Sequence, residues 1–209
     1  MSLQATATAA RDEAMDGIAQ WPAGTSTVRA ISLSSPVGHL RIEAADEAIV
    51  AIGWAETDTA AAMTPLLAEA RRQIEAYFAG KLRDFDLPLR PAGSPYERRV
   101  WAAMRAIRYG ATRTYGALAG ELGSAPRAIG RACGRNPIPI VIPCHRVLAR
   151  VGLGGYSGTG GLATKQALLT LEGALAAGLP ERARAAAVDS PRRHPAGTPL
   201  LDRIDRARP

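Results

Sequence analysis

The stretch Asn136-Pro-Ile-Pro-Ile-Val-Ile-Pro-Cys144-His145-Arg146-Val147 constrains this chain more than any other. Pro137, Pro139 and Pro143 each fix φ and remove a backbone donor, so the run cannot be α-helix. Ile138, Ile140, Val141 and Ile142 make it apolar, which predicts an extended, buried segment. At its end it delivers one of the chain's two cysteines and one of its three histidines side by side. A free cysteine taken alone is most often a small buried hydrophobe. Beside His145 and Arg146, Cys144 is instead expected to be biased towards thiolate, the nucleophilic form.

The surrounding chain has 209 residues, enough for one domain or two small ones, and 47% of them are hydrophobic, so a sizeable core is expected. Its 26 Lys and Arg against 19 Asp and Glu leave a formal net charge of +7 and a pI near 10.1. That balance points to a polyanionic partner, nucleic acid first and an anionic membrane second. Two cysteines supply neither a disulfide framework nor a four-ligand zinc site, so no metal and no cofactor are expected. A reduced thiol fits a cytoplasmic protein with access to chromosomal DNA. No run of about 18 apolar residues suggests a membrane span.

Residues 1–27 read as a mobile extension with a loose helix around Ala9–Ile18. Val28–Leu33, Leu40–Ala44 and Ile49–Trp54 are short apolar segments punctuated at Ser35–Gly38 and Asp46-Glu47, which predicts an antiparallel meander. Residues 58–80 show helical spacing, with Met63, Leu66, Leu67, Ala70, Ile74, Tyr77 and Phe78 on one face and Gly80 as C-cap. Tyr77 and Phe78 read as core. A short strand is expected at Phe85–Leu89, then a Pro-Gly linker. His39 reads as an ordinary turn histidine. The domain division is therefore 28–90 for an α+β module and 94–173 for a second, helical one, with a mostly disordered basic tail over 174–209. An opportunistic helix around Pro180–Val188 interrupts that tail.

The second module opens on Ser94 and Glu97, three apart, a capping box for a helix reaching about Ile107 with Val100, Trp101, Met104 and Ile107 buried. Thr114 caps a helix over Tyr115–Leu122. Ser124 is expected to cap the next, about Ala125–Cys133, with Gly134 at C′. Two short helices across a Gly-containing turn read as a helix-turn-helix. Arg127, Arg131 and Arg135 form one basic stripe on the second helix, which net charge directs towards DNA. Cys133 reads as buried and inert. Six glycines lie between residues 152 and 161; such a loop lets backbone approach a flat ligand closely. A final helix, Leu162–Leu171, ends at Glu172. A carboxylate opposes the dipole there, which hints at a tertiary partner. Glu172 orienting His145, and His145 drawing the Cys144 proton through a water, make a nucleophile–base–orienter set.

Pro-Cys144-His-Arg-Val147, preceded by Asn136-Pro-Ile-Pro-Ile-Val-Ile and followed by Gly-Gly-Tyr156-Ser157-Gly and Leu-Glu172-Gly, resembles the O6-alkylguanine-DNA alkyltransferase family. The resemblance covers about residues 94–173 strongly and 28–90 more weakly. It implies a ribonuclease-H-like antiparallel sheet plus helix, then an all-helical domain with the helix-turn-helix and the active-site loop. It implies irreversible, stoichiometric transfer of an alkyl group, methyl above all, from O6 of guanine to Cys144 after nucleotide flipping, with O4 of thymine a further candidate. By the same resemblance His145 is the base through water, Glu172 holds it and Asn136 braces the turn. Tyr115 assists flipping and protonates the departing guanine, and Arg127 replaces the flipped base in the stack. Tyr156 and Ser157 line the guanine pocket with Lys165 near it, and the backbone of Cys144 and Val147 reads the exocyclic amine. The implied partner is double-stranded DNA carrying O6-alkylguanine, entered from the minor groove by a monomer, with cooperative assembly on DNA left open.

Three departures accompany the resemblance. The Tyr115–Arg127 span is about two residues shorter than in some relatives. Gly158-Thr159-Gly160-Gly161 is longer than the usual Gly-Gly, which bears on pocket size. No N-terminal cysteine cluster is present, so the zinc site of some relatives is not expected. Two other readings stay open at this stage: a module that recognises alkylated guanine without repairing it, and a Cys–His hydrolase on an unrelated fold.

Overall fold

The computed structural model describes residues 27–55 and 63–175. The expected helices around 9–18 and 180–188, and the first residues of the one expected from 58, lie outside them. The chain opens with β1 (Val28–Ser35), β2 (Gly38–Ala45) and β3 (Ala48–Trp54), an antiparallel meander in the order β1-β2-β3. Two-residue connections set the register: Ser35 pairs with Gly38, and Ala45 with Ala48. Gly38 takes φ 104°, and Asp46 takes φ 52°, a left-handed conformation that aspartate tolerates. Cross-strand partners Ile31–Ile42–Ile52 and Leu33–Leu40 fall on one face by the two-residue period and are buried.

Helix α1 (Pro65–Phe78) covers that face with Leu67, Ala70, Ile74 and Tyr77. It starts at Thr64-Pro65 because proline suits the first helical position and disfavours helix in the residue before it. The Thr64 hydroxyl accepts from the Leu67 N–H at 3.2 Å. At the other end Ala79 is the cap and Gly80 lies one position beyond it at φ 70°. Lys81 N–H bonds to Ala76 O and Gly80 N–H to Tyr77 O, closing a Schellman motif. Full burial of Leu67 and Ile74 contributes roughly 1.5–3 kcal/mol each.

The strand expected at Phe85–Leu89 does not form. The buried Gln73 amide takes its place, accepting from Asp86 N–H and donating to Asp86 O, both at 2.8 Å. Leu89 makes a single parallel bridge to Ile49. Pro88 has no N–H to extend it.

Helix α2 (Pro95–Arg105) begins with the Ser94/Glu97 capping box and stops at Ala106, a residue before the expected end. Trp101 is its buried anchor, and its indole N–H donates to Ala132 O at 2.9 Å. β4 (Arg113–Thr114) runs into α3 (Tyr115–Glu121), capped by Thr114, and α4 (Pro126–Gly134) follows. Ser124 is not the cap of α4. Its hydroxyl shares a 2.7 Å hydrogen bond with the Tyr96 hydroxyl, and Ala125 occupies the cap position with no side-chain bond. Nor does Gly134 sit at C′; it is the last helical residue and Arg135 caps it.

The proline-rich run is not extended throughout. It folds back, so that Ile142 N–H bonds to Ile138 O, and it ends in a 3-10 turn over Cys144–Arg146. Only then does β5 (Val147–Leu148) pair with β4 in parallel, joining the start of α3 to the cysteine segment. Helix α5 (Leu162–Leu171) closes the described chain. Buried residues from the sheet, from α1 and from the helical segments belong to one apolar cluster. Ile52 N–H to Pro137 O, at 2.9 Å, stitches β3 to the cysteine run.

Candidate active site

The turn that carries Cys144 is shaped by one side chain. Asn136 donates from Nδ2 to Ile142 O at 2.8 Å and accepts at Oδ1 from Ile138 N–H at 3.0 Å. An apolar run with prolines has few backbone donors of its own, so this amide supplies the cross-links. Ile140 sits at φ 76°, a left-handed conformation that a β-branched residue adopts only under tertiary constraint. Strain of this kind clusters at functional sites.

Cys144 and His145 are both buried, and they occupy successive positions of the 3-10 turn. His145 Nε2 lies 2.8 Å from Glu172 Oε1. Glu172 is the C-cap of α5, and the misfit of a carboxylate there is resolved by five donors. Tyr77 OH (2.8 Å) and Arg146 Nη2 (3.0 Å) join His145 at Oε1; Arg146 Nε (2.9 Å) and Gly110 N–H (3.3 Å) reach Oε2. Burial alone would raise the Glu172 carboxyl, but hydrogen bonds from His145 and Arg146 hold it down to about 2. An ionised carboxylate at Oε1 makes Nε2 the protonated nitrogen of His145 and leaves the lone pair on Nδ1. Nδ1 is buried and has no hydrogen-bond partner among the described residues. Burial also lowers the His145 pKa against the pull of Glu172, so the imidazole is neutral and basic at Nδ1.

The thiol differs from the sequence expectation. Burial pushes Cys144 up, opposed by the Asn136 side chain and by the Lys165 charge. Arg146 does not act on it; its guanidinium is spent on Glu172 and on Ile107 O at 2.6 Å. The cation facing the sulfur's side is Lys165, fully buried on α5, donating from Nζ to Val147 O at 2.6 Å and Gly155 O at 3.1 Å. Burial lowers Lys165 to about 8, and the cysteine opposes that shift.

Tyr115, the first residue of α3, is half-buried, with the Lys165 ammonium 5.8 Å from its ring centroid and its hydroxyl 3.5 Å from Gly155 O. Tyr156 reaches in from the glycine loop. Its hydroxyl is buried with no hydrogen-bond partner among the described residues, and burial first, then the Cys144 sulfur, push its pKa up. Ser157 is exposed beside it. Arg127 and Arg131 project from α4, exposed and free of ion pairs among the described residues, whereas Arg135 pairs with Glu97 at 3.0 Å. Cys133 is buried against Met104, 3.3 Å between sulfurs.

Tyr77 and Trp54 are the members that sequence reading missed, and Arg146, expected to act on Cys144, serves Glu172 instead. Tyr77 read as core, and it is, but a buried tyrosine hydroxyl needs a partner, which was the available signal. For Trp54, which meets Tyr156 edge-on at 6.4 Å between ring centroids, no local signal existed.

Comparison with known proteins identifies what the chain is similar to. A family model described as "6-O-methylguanine DNA methyltransferase, ribonuclease-like domain" matches residues 28–91, and one described as "6-O-methylguanine DNA methyltransferase, DNA binding domain" matches residues 95–174. A methylated-DNA–protein-cysteine methyltransferase of Mycolicibacterium paratuberculosis is 42% identical over 156 residues, covering 68% of this chain and 90% of that protein. One from Methanosarcina acetivorans is 52% identical over 108 residues, covering 50% of this chain and 68% of that protein. The crystal structure of Mycobacterium tuberculosis O6-methylguanine methyltransferase superposes with a TM-score of 0.62 at 37% identity, over 70% of this chain and 93% of that one. A Mycobacterium tuberculosis structure in complex with DNA gives 0.60 at 41% identity, over 68% of this chain and 90% of that one.

Proposed function

The chain belongs to the 6-O-methylguanine DNA methyltransferase family, and from that premise we infer that it repairs DNA by direct reversal, moving an alkyl group from O6 of guanine to Cys144. The observation that carries the reading is the buried run Cys144, neutral His145, ionised Glu172. O6 is shielded in an intact duplex, so the nucleotide must turn out of the stack, at a few kcal/mol. Arg127, exposed and without an ion pair among the described residues, would fill the gap left behind, while Arg131 and the backbone N–H groups at the uncapped start of α4 would meet phosphates. Arg135 would contribute only by leaving Glu97. We read the approach as through the minor groove, by a monomer.

In the pocket, Tyr115 and Tyr156 flank the base, with Ser157 at the loop's outer edge and the Val147 carbonyl, already holding Lys165, offering its second lone pair to the exocyclic amine. His145 Nδ1 takes the Cys144 proton through a bridging water, and Glu172 stabilises the imidazolium that results. Lys165 offsets the thiolate charge. The sulfur attacks the alkyl carbon in line with O6; the S–C bond forms as the C–O bond breaks, and Tyr115 donates a proton to the leaving guanine. The thioether has no leaving group to regenerate the thiol, so each molecule reacts once. O4-alkylthymine would enter by the same route. Under this reading residues 94–173 do the chemistry and 28–90 brace them, in a cytoplasmic protein. No described helix is long and apolar enough to cross a membrane.

Intact mass after incubation with DNA containing O6-methylguanine tests the reading. One added methyl per molecule, mapped to Cys144, is expected. Lesion-dependent binding with unchanged mass would replace transfer by recognition alone.

A further inference from the structure

We propose that Trp54 determines which alkyl groups this protein accepts, by holding Tyr156 in place beside the Cys144 sulfur. The proposal rests on the alkyl-transfer reading above. Trp54 is the last residue of β3, far from the cysteine in sequence, and it is anchored from behind. Its indole N–H donates to Val37 O at 2.8 Å, in the β1–β2 connection, and a Cβ on Gly38 would lie 3.4 Å from its Cδ1. From that anchor the indole meets the Tyr156 ring at an interplanar angle of 88°.

The loop closes on the same pair of rings. A Cβ at Gly158 would lie 2.5 Å from Tyr156 Cε1 and 2.6 Å from Trp54 Cη2, closer than real Cβ atoms come, so the Gly158 backbone is packed directly against both. Six residues on, Thr164 near the head of α5 donates to Thr159 O at 2.6 Å and fastens the far side of the loop. These contacts fall within the Gly158–Gly161 segment that is longer than the family pattern. Tyr156 is thus confined by Trp54 and by Gly158, while its buried hydroxyl, which feels the Cys144 sulfur, has no hydrogen-bond partner among the described residues.

An incoming alkyl group must occupy the space between that hydroxyl and the sulfur. A methyl needs little of it. A benzyl group needs Tyr156 to move, and Trp54 stands in its way. The ring is held from the sheet, so alkyl-size selectivity is set by a residue outside the cysteine-bearing module.

The test measures single-turnover transfer of methyl and of benzyl from O6 of guanine in one oligonucleotide sequence, for the wild type, Trp54→Ala and Trp54→Phe. Trp54→Ala is expected to raise the benzyl-to-methyl rate ratio about tenfold, the scale of discrimination that a small change in pocket space supplies. Trp54→Phe, which keeps a ring and loses the bond to Val37, should fall between. An unchanged ratio, or equal loss of both rates, would overturn the proposal and leave Trp54 a packing residue. If Trp54→Ala does not fold, an unchanged ratio in Trp54→Phe overturns it alone. Absence of methyl transfer by the wild type would instead remove the alkyl-transfer reading, and this proposal with it.

Discussion

Cys133 and Cys144 lie in one chain segment, and each is 6% exposed. Burial pushes both thiols up, Cys133 to about 12. Burial therefore does not distinguish them. What does is their company. Cys133 sits on α4 with the Met104 thioether, a weak acceptor, as its hydrogen-bond partner; the Lys165 charge and Cys144 act on it too, but no histidine–carboxylate pair stands beside it among the described residues. Cys144 is surrounded by the Asn136 amide, the Lys165 charge, the Tyr156 hydroxyl and the His145–Glu172 pair. A resting thiol that is protonated in both places can become a nucleophile only where a base and a counter-charge wait beside it.

The largest effect expected from this contrast is at Cys144. Cys144→Ala should abolish transfer while lesion binding remains; a methyl still gained by that variant, located by peptide mass, would mean the comparison has the wrong cysteine. Next is Glu172→Gln. It leaves Arg146 and His145 buried without their counter-charge, so a loss of about 3 kcal/mol in urea unfolding is predicted. Transfer should slow by roughly 100-fold, the range of a mispositioned general base. Wild-type stability in this variant would remove Glu172 as the hub.

The same groups give a pH signature. His145 has a folded pKa below its ordinary value, so the unfolded chain binds a proton that the folded one refuses, and stability should fall as pH drops below about 6.5. Glu172, held at about 2, contributes stability that is present above its unfolded pKa and is lost as pH falls from about 4.5 towards 2. Thermal midpoints across this range should therefore decline in two stages. The upper stage should vanish in His145→Gln, and its persistence there would assign it elsewhere.

A smaller effect separates binding from chemistry. Arg127→Ala should slow transfer from duplex DNA by about tenfold, as one lost contact to a flipped state of a few kcal/mol, yet leave attack on a free O6-alkylguanine base unchanged. Equal losses on both substrates would contradict a role in base displacement. The smallest effect is at Cys133. Cys133→Ala should alter transfer by no more than about twofold and cost about 1 kcal/mol of stability, the usual size for a core truncation of few atoms. A larger change in transfer would mean the two thiols are not independent.

What could be read in advance follows the range of the forces involved. The Ser94/Glu97 capping box, the Thr114 cap and the two-residue connections of the meander are settled within a few residues, and they stand as the sequence implied. Ser124 did not follow its local rule because Tyr96, on another helix, offered its hydroxyl a partner. The strand expected near Phe85 gave way because the Gln73 amide supplied the hydrogen bonds that a neighbouring strand would have. Arg146 was misread for the same reason: adjacency in sequence suggested Cys144, and a carboxylate from α5 claimed it instead.

By itself the sequence pointed to Cys144 as the candidate nucleophile, through its neighbours and the motif around it, and set out the meander, the helix pair and the basic face on α4, because side-chain period and capping act locally. The tertiary structure alone decided the state of that residue. Whether Cys144 is thiol or thiolate, which nitrogen of His145 is basic, why Glu172 stays ionised and what confines Tyr156 all depend on burial and on charges brought from Tyr77, Lys165 and Trp54. Those terms vary steeply with distance and dielectric, and neither can be read along a chain.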